Sequence, residues 1–291
     1  MAHMHEERQA LELRLRNRLN RFLSCSEFGL SSLPSAVRDV RVAIDGVLAR
    51  LRMAGLHGYL WGGLVRDFAV RRVLPMPRDI DIVVDGVRNE ELAELFRDLP
   101  VRRNRFGGVH IEAGCKVDIF ALSEAWVFQQ GFCTVGIEHL PRTTFFNVEA
   151  IIVEIEASRG RARNIFSSGF FEAVSSETID MNCPLNPYPA LCILRAIVMA
   201  RELDFCIGGK LARYLVNEHC RISEADYNRF QLSHYGVLKY SKQGIDLIID
   251  AIQQQIDMEF GPVILPGSTR AQTSLWPNTY VPDTNRQAEA L

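Results

Sequence analysis

The chain has 291 residues, of which 47% are hydrophobic and 23% charged, a globular composition with enough length for two modest domains. Its formal net charge of −2 offers no overall positive field, so any nucleic-acid partner must be bound by local basic patches. No apolar stretch approaches the roughly 18 residues of a transmembrane helix, so we expect a soluble, cytoplasmic protein with no membrane partner.

Two amphipathic helices are predicted at the N-terminus. In residues 6–23, leucine and phenylalanine recur at helical spacing, and five arginines occupy the remaining surface. This basic surface is either the solvated face of a helix packed on the main domain or a contact for RNA or a protein partner. Helical spacing resumes at residues 36–53, and we assign residues 1–54 to an N-terminal helical segment.

The next segment predicts strands separated by short helices. Residues 57–61 have a strand pattern, Gly62-Gly63 forms a tight turn, and residues 64–73 have helical spacing. The alternation Asp-Ile-Asp-Ile-Val-Val then predicts a strand at residues 79–84. A helix is expected at residues 90–99, followed by a hairpin of strands at residues 109–112 and 116–122 that pairs beside the strand of residues 79–84.

The second half of the chain changes from strands to helices. A strand pair is predicted at residues 145–155 and 162–166, and helices are predicted from residue 189 onward, near residues 210–218, 224–231 and 244–258. The pattern predicts an α+β fold, a mixed sheet with helices at residues 55–182 followed by a small helical domain at residues 183–260. Residues 261–291 have few apolar side chains, so we expect an extended or disordered tail.

Three carboxylates form the clearest chemical signal. Side chains alternate faces along a strand, so Asp79 and Asp81 point the same way while the isoleucine between them enters the core. Asp118 lies in a similar alternation and adds a third ligand if its strand neighbours the first. Like charges so close repel, and a divalent cation stabilises them. Hard oxygen ligands favour magnesium over zinc.

A glycine turn precedes the first acidic strand. Gly62-Gly63 enters a helix, and such a turn lets backbone N–H groups and the positive helix end approach phosphate closely. Taken alone, Gly-Gly also fits an ordinary turn, and Asp-x-Asp also fits a solvated strand end. Their ordered combination within residues 62–118 favours a site for metal and phosphate.

These motifs carry a family resemblance. GGLVRD at residues 62–67, an arginine at position 72 and PRDIDI at residues 77–82 resemble the GGxVRD…R…(K/R)DxD signature of class II tRNA nucleotidyltransferases (CCA-adding enzymes) and bacterial poly(A) polymerases. A looser likeness continues through Asp118 to ILRAI at residues 193–197. The resemblance implies a DNA polymerase β-like nucleotidyltransferase head at residues 55–182 and a neck-like domain after it.

The resemblance also implies an activity and a set of site residues. Asp79 and Asp81 would bind two magnesium ions, with manganese as a substitute, and Asp118 would share in metal binding and activate the attacking 3′-hydroxyl. The donor would be a nucleoside triphosphate and the acceptor an RNA 3′ end, with tRNA among the candidates. Arg66 has an alternative role in a structural ion pair with Asp67. The residues implied in nucleotide binding are Gly62, Gly63, Arg66, Asp67, Arg72 and Arg195.

Departures from the family pattern narrow the expected activity. YPALC at residues 188–192 stands where the family reads the incoming base with EDxxR, and it supplies neither a carboxylate nor a guanidinium. RTTFFN at residues 142–147 has Thr143 where the family has the aspartate of RRDFTIN. The residues after Phe205 are too few for the family's tRNA-holding body and tail. We therefore expect transfer to an RNA 3′ end other than ordinary CCA addition, in a toxin or defence role.

Two other hypotheses remain open for the same residues. The first keeps the metal site and changes the acceptor to a small molecule or a protein hydroxyl. The second is a non-catalytic module that binds nucleotide or RNA. The intact carboxylates disfavour the second, because an acidic cluster without a function is costly to hold.

Two basic clusters are candidate RNA contacts. Their arginines would bind RNA phosphates in an otherwise slightly acidic protein. Each cluster is equally compatible with solvated loop charges. The first precedes the strand after Gly107-Gly108 and the second lies in a predicted hairpin turn; they comprise Arg102, Arg103 and Arg105, and Arg159, Arg161 and Arg163.

Overall fold

A computed structural model describes residues 2–23, 35–71, 77, 79–104, 107–112, 115–156, 161–258 and 261–272. The chain divides into two compact units, Met1–Asn186 and Pro187–Leu291. Within the described ranges, none of the helices is long and apolar enough to cross a membrane. The domain boundaries placed at residues 54, 182 and 260 stay predictions, and most of the expected tail, residues 273–291, lies outside the described residues.

A seven-stranded mixed sheet lies at the centre of the first unit. Its strands are β1 (His57–Trp61), β2 (Asp79–Asp85), β3 (Val101–Arg103), β4 (Val109–Glu112), β5 (Lys116–Ala121), β6 (Ile151–Glu154) and β7 (Ile165–Ser167). The spatial order is β3-β4-β5-β2-β1-β6-β7. Strands β2 and β5 pair in parallel, and the other neighbours pair antiparallel. The expected mixed sheet, with the β4–β5 hairpin beside β2, is confirmed.

Helices surround this sheet. In the described part of the first unit they are α1 (Ala2–Leu23), α2 (Ser35–Ala43), α3 (Asp45–Met53), α4 (Gly63–Val70), α5 (Asn89–Leu95), α6 (Trp126–Gln129), α7 (Leu140–Thr143) and α8 (Phe170–Ser175). Short 3-10 helices at Leu122–Glu124 and Asn147–Glu149 and a short strand, β8 (Thr178–Ile179), complete its elements. The predicted helix at residues 36–53 is thus present as two helices, α2 and α3.

Helix α1 is packed on the main domain by its apolar face. Its apolar stripe buries Leu15, Leu19 and Phe22 in the same core as the inward side chains of β2. Its basic face also makes internal contacts, since Arg8 pairs with Glu172 on α8 at 2.7 Å. The apolar stripe is therefore packed on the core, while Arg14 and Arg21 stay exposed on the other face of the helix.

The two faces of the sheet carry different side chains. Ile80 and Ile82 of β2 are fully buried in the large core that α1 and α4 cover. On the opposite face, Val83 packs in a smaller apolar cluster with Leu140 of α7 and Ile152 of β6. Because side chains alternate along β2, Asp79 and Asp81 lie on the face of this smaller cluster.

The strand predicted at residues 145–155 is shorter than expected. Only Ile151–Glu154 joins the sheet, and the preceding residues bend through a 3-10 helix. The Asn147 side chain explains the bend, because its Oδ1 accepts from the backbone N–H groups of Val148 and Asp180, each at 2.8 Å. Such side-chain contacts offer the backbone an alternative to ladder hydrogen bonds.

The second unit is mainly helical, as the sequence predicts. Its hydrogen-bonded centre is His219, which lies 2.9 Å from the Tyr227 hydroxyl through Nδ1 and 2.7 Å from Asp246 through Nε2. Serine side chains at positions 223 and 241 cap the two helices that follow. Its described elements are α9 (Pro189–Leu203), β9 (Cys206–Ile207), α10 (Gly209–His219), α11 (Glu224–Tyr235), α12 (Lys242–Asp257) and a 3-10 helix at Thr269–Gln272.

Candidate functional site

Three half-buried aspartates lie on one face at the centre of the sheet. In the parallel pairing of β2 with β5, Asp81 is the direct partner of Asp118. Asp79 precedes Asp81 by one full alternation and so shares its face. The parallel register thus brings together two acidic segments that are separated in sequence. We call Asp79, Asp81 and Asp118 the carboxylate face.

Neighbouring polar side chains orient Asp118. The Asn104 amide donates to Asp118 Oδ1 at 3.1 Å, and His110 Nδ1 lies 3.2 Å from the same oxygen. His110 Nε2 lies 3.0 Å from Glu112. Burial disfavours the imidazolium, but the hydrogen bonds with Glu112 and Asp118 outweigh it and raise the pKa of His110. Sequence reasoning missed Asn104 and His110, although His110 occupies a polar position in the apolar-polar alternation of β4.

The glycine turn lies against the carboxylate face. Gly62 caps α4 at φ 73° and ψ −137°, a left-handed conformation that strains any residue with a Cβ. A Cβ at Gly62 would also lie 3.2 Å from Asp81 Oδ2. Both its conformation and its close approach to the carboxylate therefore require glycine. The turn and the acidic strand are adjacent in space, as a site for metal and phosphate requires.

Arg66 is engaged in an ion-pair network beside the turn. Its guanidinium lies 3.0 Å from Asp67 and 2.8 Å from Glu149, whose side chain is 7% exposed. Asp67 also pairs with Arg71 at 3.4 Å. The pair with Asp67 was one of the two roles predicted for Arg66. Glu149 was missed by sequence reasoning, although a single acidic residue within the apolar run of residues 148–153 was a usable signal.

Two further residues were predicted to bind nucleotide. Arg72 falls outside the described residues. Arg195 lies half-buried on α9, in the second compact unit. Their roles, like those of Gly62, Gly63, Arg66 and Asp67, stay predictions.

The predicted RNA-binding arginines fall into two different environments. Arg102 and Arg103 are exposed on β3, and Arg103 makes a surface ion pair with Glu90 at 3.3 Å. Arg161 and Arg163 border the β6–β7 hairpin and make internal contacts. Arg105 and Arg159 lie outside the described residues.

Internal partners account for both described arginines of the hairpin. Arg161 donates to both oxygens of Glu154, at 2.7 and 2.9 Å. Arg163 donates to the carbonyl of Ile155 and, at 2.9 Å, to the side chain of Asn20 on α1. Burial favours a neutral Glu154, but Arg161 and the Asn164 N–H outweigh it and lower the pKa of Glu154. This cluster therefore stabilises the sheet and α1, whatever its relation to RNA.

The carboxylate face fits a divalent cation by its donor chemistry. All three side chains offer hard oxygen atoms, which magnesium and manganese prefer. The space that a Cβ at Gly62 would fill lies directly beside Asp81 Oδ2. In the described part of the chain, His, Cys, Asp and Glu form no group of three already arranged to hold a metal ion. The metal assignment therefore depends on donor type and register, and it stays a prediction.

A cavity borders the same side of the sheet. Its volume is about 380 Å3, within the range of small-molecule sites, and its walls combine apolar and polar side chains. Val127, one of its lining residues, packs in the apolar cluster with Val83 of β2. Arg142 and Thr143, from the segment that resembles RRDFTIN, also line it, with Phe132 and His139. The cavity offers stacking surface, hydrogen-bonding groups and one guanidinium.

Comparisons with known proteins identify the fold. A solved CCA-adding enzyme in complex with CTP matches with a TM-score of 0.51 at 18% identity, over 76% of this chain and 55% of that one. A CCA-adding enzyme of Thermotoga maritima in complex with tRNA matches with a TM-score of 0.48 at 19% identity, over 81% of this chain and 62% of that one. A tRNA nucleotidyltransferase in complex with a primer tRNA and an ATP analog matches with a TM-score of 0.48 at 17% identity, over 72% of this chain and 61% of that one.

These similarities extend to the fold and no further. No protein-family model matches the chain, and no curated protein matches its sequence. The chain spans little more than half the length of the CCA-adding enzyme solved with CTP. At this identity the match establishes the fold alone, a nucleotidyltransferase head fold with a mixed sheet, which confirms the predicted fold class.

Proposed function

We propose that this chain is a metal-dependent nucleotidyltransferase that transfers a nucleoside monophosphate from a nucleoside triphosphate to an RNA 3′ end, with tRNA among the candidate acceptors. The observation that carries the proposal is the register of β2 and β5, which makes Asp81 and Asp118 direct neighbours with Asp79 on the same face. The Gly62 turn beside Asp81 supports a phosphate site there. Such a combination suits phosphoryl transfer, in which positioning and charge neutralisation do most of the work.

The chemistry follows from the roles of these side chains. Asp79 and Asp81, with Asp118, would hold two magnesium or manganese ions, whose charge would offset the negative charge of the reacting phosphate. The acceptor 3′-oxygen forms a bond to the α-phosphorus, and the bond to the β-phosphate oxygen breaks, releasing pyrophosphate. Asp118 accepts or directs the hydroxyl proton, and the contacts from Asn104 and His110 fix its orientation. Backbone N–H groups of the Gly62-Gly63 turn bind the triphosphate.

We propose further that the product is not an ordinary CCA end. The residues that stand at the family's base-reading motif include Ala190, Leu191 and Cys192, at the start of α9. These three side chains are buried, at 3%, 7% and 3% exposure, within their own unit. Buried apolar groups cannot hydrogen-bond the edge of an incoming base. A toxin or defence role stays a prediction.

A second candidate is nucleotidyl transfer to a small molecule or a protein hydroxyl. The observation that favours it is the engagement of Arg161 with Glu154 and of Arg163 with Ile155. These contacts give the two described arginines of the hairpin internal partners, while their predicted role in binding RNA phosphates stays a prediction. The metal and triphosphate sites would be the same in both candidates.

One labelling experiment separates these functions. The purified protein is incubated with each nucleoside triphosphate, labelled in the α-phosphate, together with magnesium and total RNA or a cell extract. Label in RNA supports the first candidate, and label on protein or a small compound supports the second. No transfer under any condition would leave a non-catalytic binding module. Asp81→Asn serves as the negative control, and Asp85→Asn, an exposed aspartate at the end of β2, as its matched control.

A further inference from the structure

Helix α4, which begins at the glycine turn, is held at its opposite end by a residue of the N-terminal helix. Arg18 of α1 donates through Nη1 to the carbonyl oxygen of Phe68 at 2.8 Å and to that of Arg71 at 2.6 Å. Phe68 lies in the last turn of α4, and Arg71 is its C-cap. The last four carbonyl groups of a helix have no partner within it, so this guanidinium supplies a donor that α4 lacks.

Apolar packing reinforces the same contact. The rings of Phe22 on α1 and Phe68 on α4 lie 5.2 Å apart, one turn from Arg18. Phe22 is fully buried and Phe68 is 2% exposed. Polar and apolar contacts from α1 thus converge on the C-terminal turn of α4, which gives the Arg18 side chain a fixed place relative to the carbonyls.

The electrostatics of this contact favour the helix. A positive charge at the C-terminus of a helix stabilises its macrodipole, which has its positive end at the N-terminus. Burial and the charges of Arg14 and Arg21 lower the pKa of Arg18, whereas the two carbonyl oxygens favour its charged form. With 8 residues, α4 depends on tertiary contacts for its stability, and the Arg18 contact adds to the burial of its apolar face.

The N-terminal end of α4 bears the groups that we propose to bind the triphosphate. Gly62 caps the helix, Gly63 begins it, and Arg66 lies one turn further on. A helix of two turns transmits the position of one end to the other, because its backbone hydrogen bonds make it a rigid element. The pairing of Trp61 with Asp81 sets the place of the turn beside the acidic strand, and the contact with Arg18 at the opposite end restrains the direction in which α4 and Arg66 leave that turn.

We propose that Arg18 is a positioning residue for the nucleotide site, and that α1 is an integral part of that site. Arg18 touches neither substrate nor metal; it acts through α4, on the Gly62-Gly63 turn and Arg66. The kinetic part of this inference rests on the proposed function, while its structural part, the anchoring of α4, does not.

The test uses the full-length chain with three substitutions. Arg18→Met removes the donors and keeps much of the apolar stem, and Arg18→Lys keeps a positive donor. Arg14→Met, at an exposed position of α1, is the matched control for losing one arginine from this helix. Each variant is measured at a temperature where circular dichroism shows it fully folded. The measurements are amide hydrogen exchange of α4 and the KM for the nucleoside triphosphate and for the acceptor.

In Arg18→Met, the backbone amides of α4 should exchange with solvent faster than in wild type. The KM for the triphosphate should rise by roughly three- to tenfold, and the KM for the acceptor should stay unchanged. Arg18→Lys should keep the exchange rate and the triphosphate KM close to their wild-type values. Arg14→Met should change neither quantity. Unchanged exchange in α4 would overturn the inference even if the chain has no transferase activity. A triphosphate KM that stays at the wild-type value while exchange rises would overturn the link to the nucleotide site. Failure of wild-type transfer with every triphosphate would reject the proposed function separately.

Discussion

The carboxylate face and the β6–β7 hairpin are two charged regions of one sheet, and their charges have different neighbours. In the hairpin, Glu154 accepts two hydrogen bonds from Arg161 and one from the Asn164 N–H, so its charge is compensated within the protein. On the carboxylate face, the direct partner of Asp81 in the parallel register is another aspartate, Asp118. Charges compensated internally contribute to stability, and carboxylates placed together suit the binding of a cation.

This comparison predicts opposite consequences for substitutions in the two regions. Changes on the carboxylate face should reduce activity and leave the fold intact. Changes in the hairpin should reduce the free energy of unfolding and leave the chemistry intact. The expected effects decrease in size from the aspartates of β2 to the exposed arginines of β3.

The largest effect is expected from Asp79→Ala or Asp81→Ala. Each removes a metal ligand, so transfer should fall by roughly a thousandfold or more. The fold should persist because removing one carboxylate relieves repulsion within the face. Initial rates and thermal unfolding of the variants check both parts. Turnover near the wild-type value in either variant would show that the metal assignment is wrong.

Asp118→Asn should reduce turnover by roughly a hundredfold, with the affinity for the triphosphate less affected, because its expected task is positioning the nucleophile. The amide keeps the shape of the side chain and its place beside Asn104. Equilibrium binding of a non-hydrolysable triphosphate, compared with kcat, measures the split. Equal losses of binding and turnover would remove Asp118 from that role.

Glu154→Gln should lower the free energy of unfolding by about 1 kcal/mol and leave turnover unchanged. The estimate is small because the Arg161 side chain is 42% exposed and solvent screens the pair. Urea denaturation measures it. Glu156→Gln is the matched control, since Glu156 makes a more exposed ion pair with Arg52 and should cost less. An equal or larger loss in the control would contradict the distinction between the two pairs.

The same variant has a predictable pH dependence. The pKa of Glu154 is lowered in the folded chain from an ordinary value of 4.5. A lowered folded-state pKa contributes stability that is fully present above the unfolded-state value and is lost as the pH falls through the folded-state value. The difference in stability between wild type and Glu154→Gln should therefore be constant above pH 4.5 and shrink below it. A difference that grows on acidification would contradict this assignment.

The smallest effect concerns RNA binding by the two arginine clusters. The double variant Arg102→Ala/Arg103→Ala should bind single-stranded RNA more weakly. The slope of the logarithm of its binding constant against the logarithm of the salt concentration should become shallower, by about 0.7 for each phosphate that the variant no longer neutralises. Arg161→Ala is the matched comparison and should leave the slope unchanged, because Glu154 already holds that guanidinium. Binding isotherms at several salt concentrations decide between them. A flatter slope for Arg161→Ala alone would assign RNA binding to the hairpin.

The sequence by itself determined the local elements and the chemistry that they carry. The alternation of residues 79–84 predicted the strand β2 and the shared face of Asp79 and Asp81, because side chains of a strand alternate at a fixed period. The motif at residues 62–67 predicted the turn before α4, and the ordered motifs together predicted the fold. The strand and turn signals depend on neighbours within a few residues, which is the range over which backbone geometry acts, whereas the fold was implied by the resemblance that the ordered motifs carry.

Only the tertiary structure decided which of these groups meet. Glu149 pairs with Arg66 across 83 positions of sequence, and Arg163 bonds to Asn20 across 143. The parallel register that sets Asp81 beside Asp118, and the Arg18 contacts with α4, depend in the same way on the path of the chain. No periodicity encodes such pairs, because they form when separate elements pack on a common core and their polar groups require partners there.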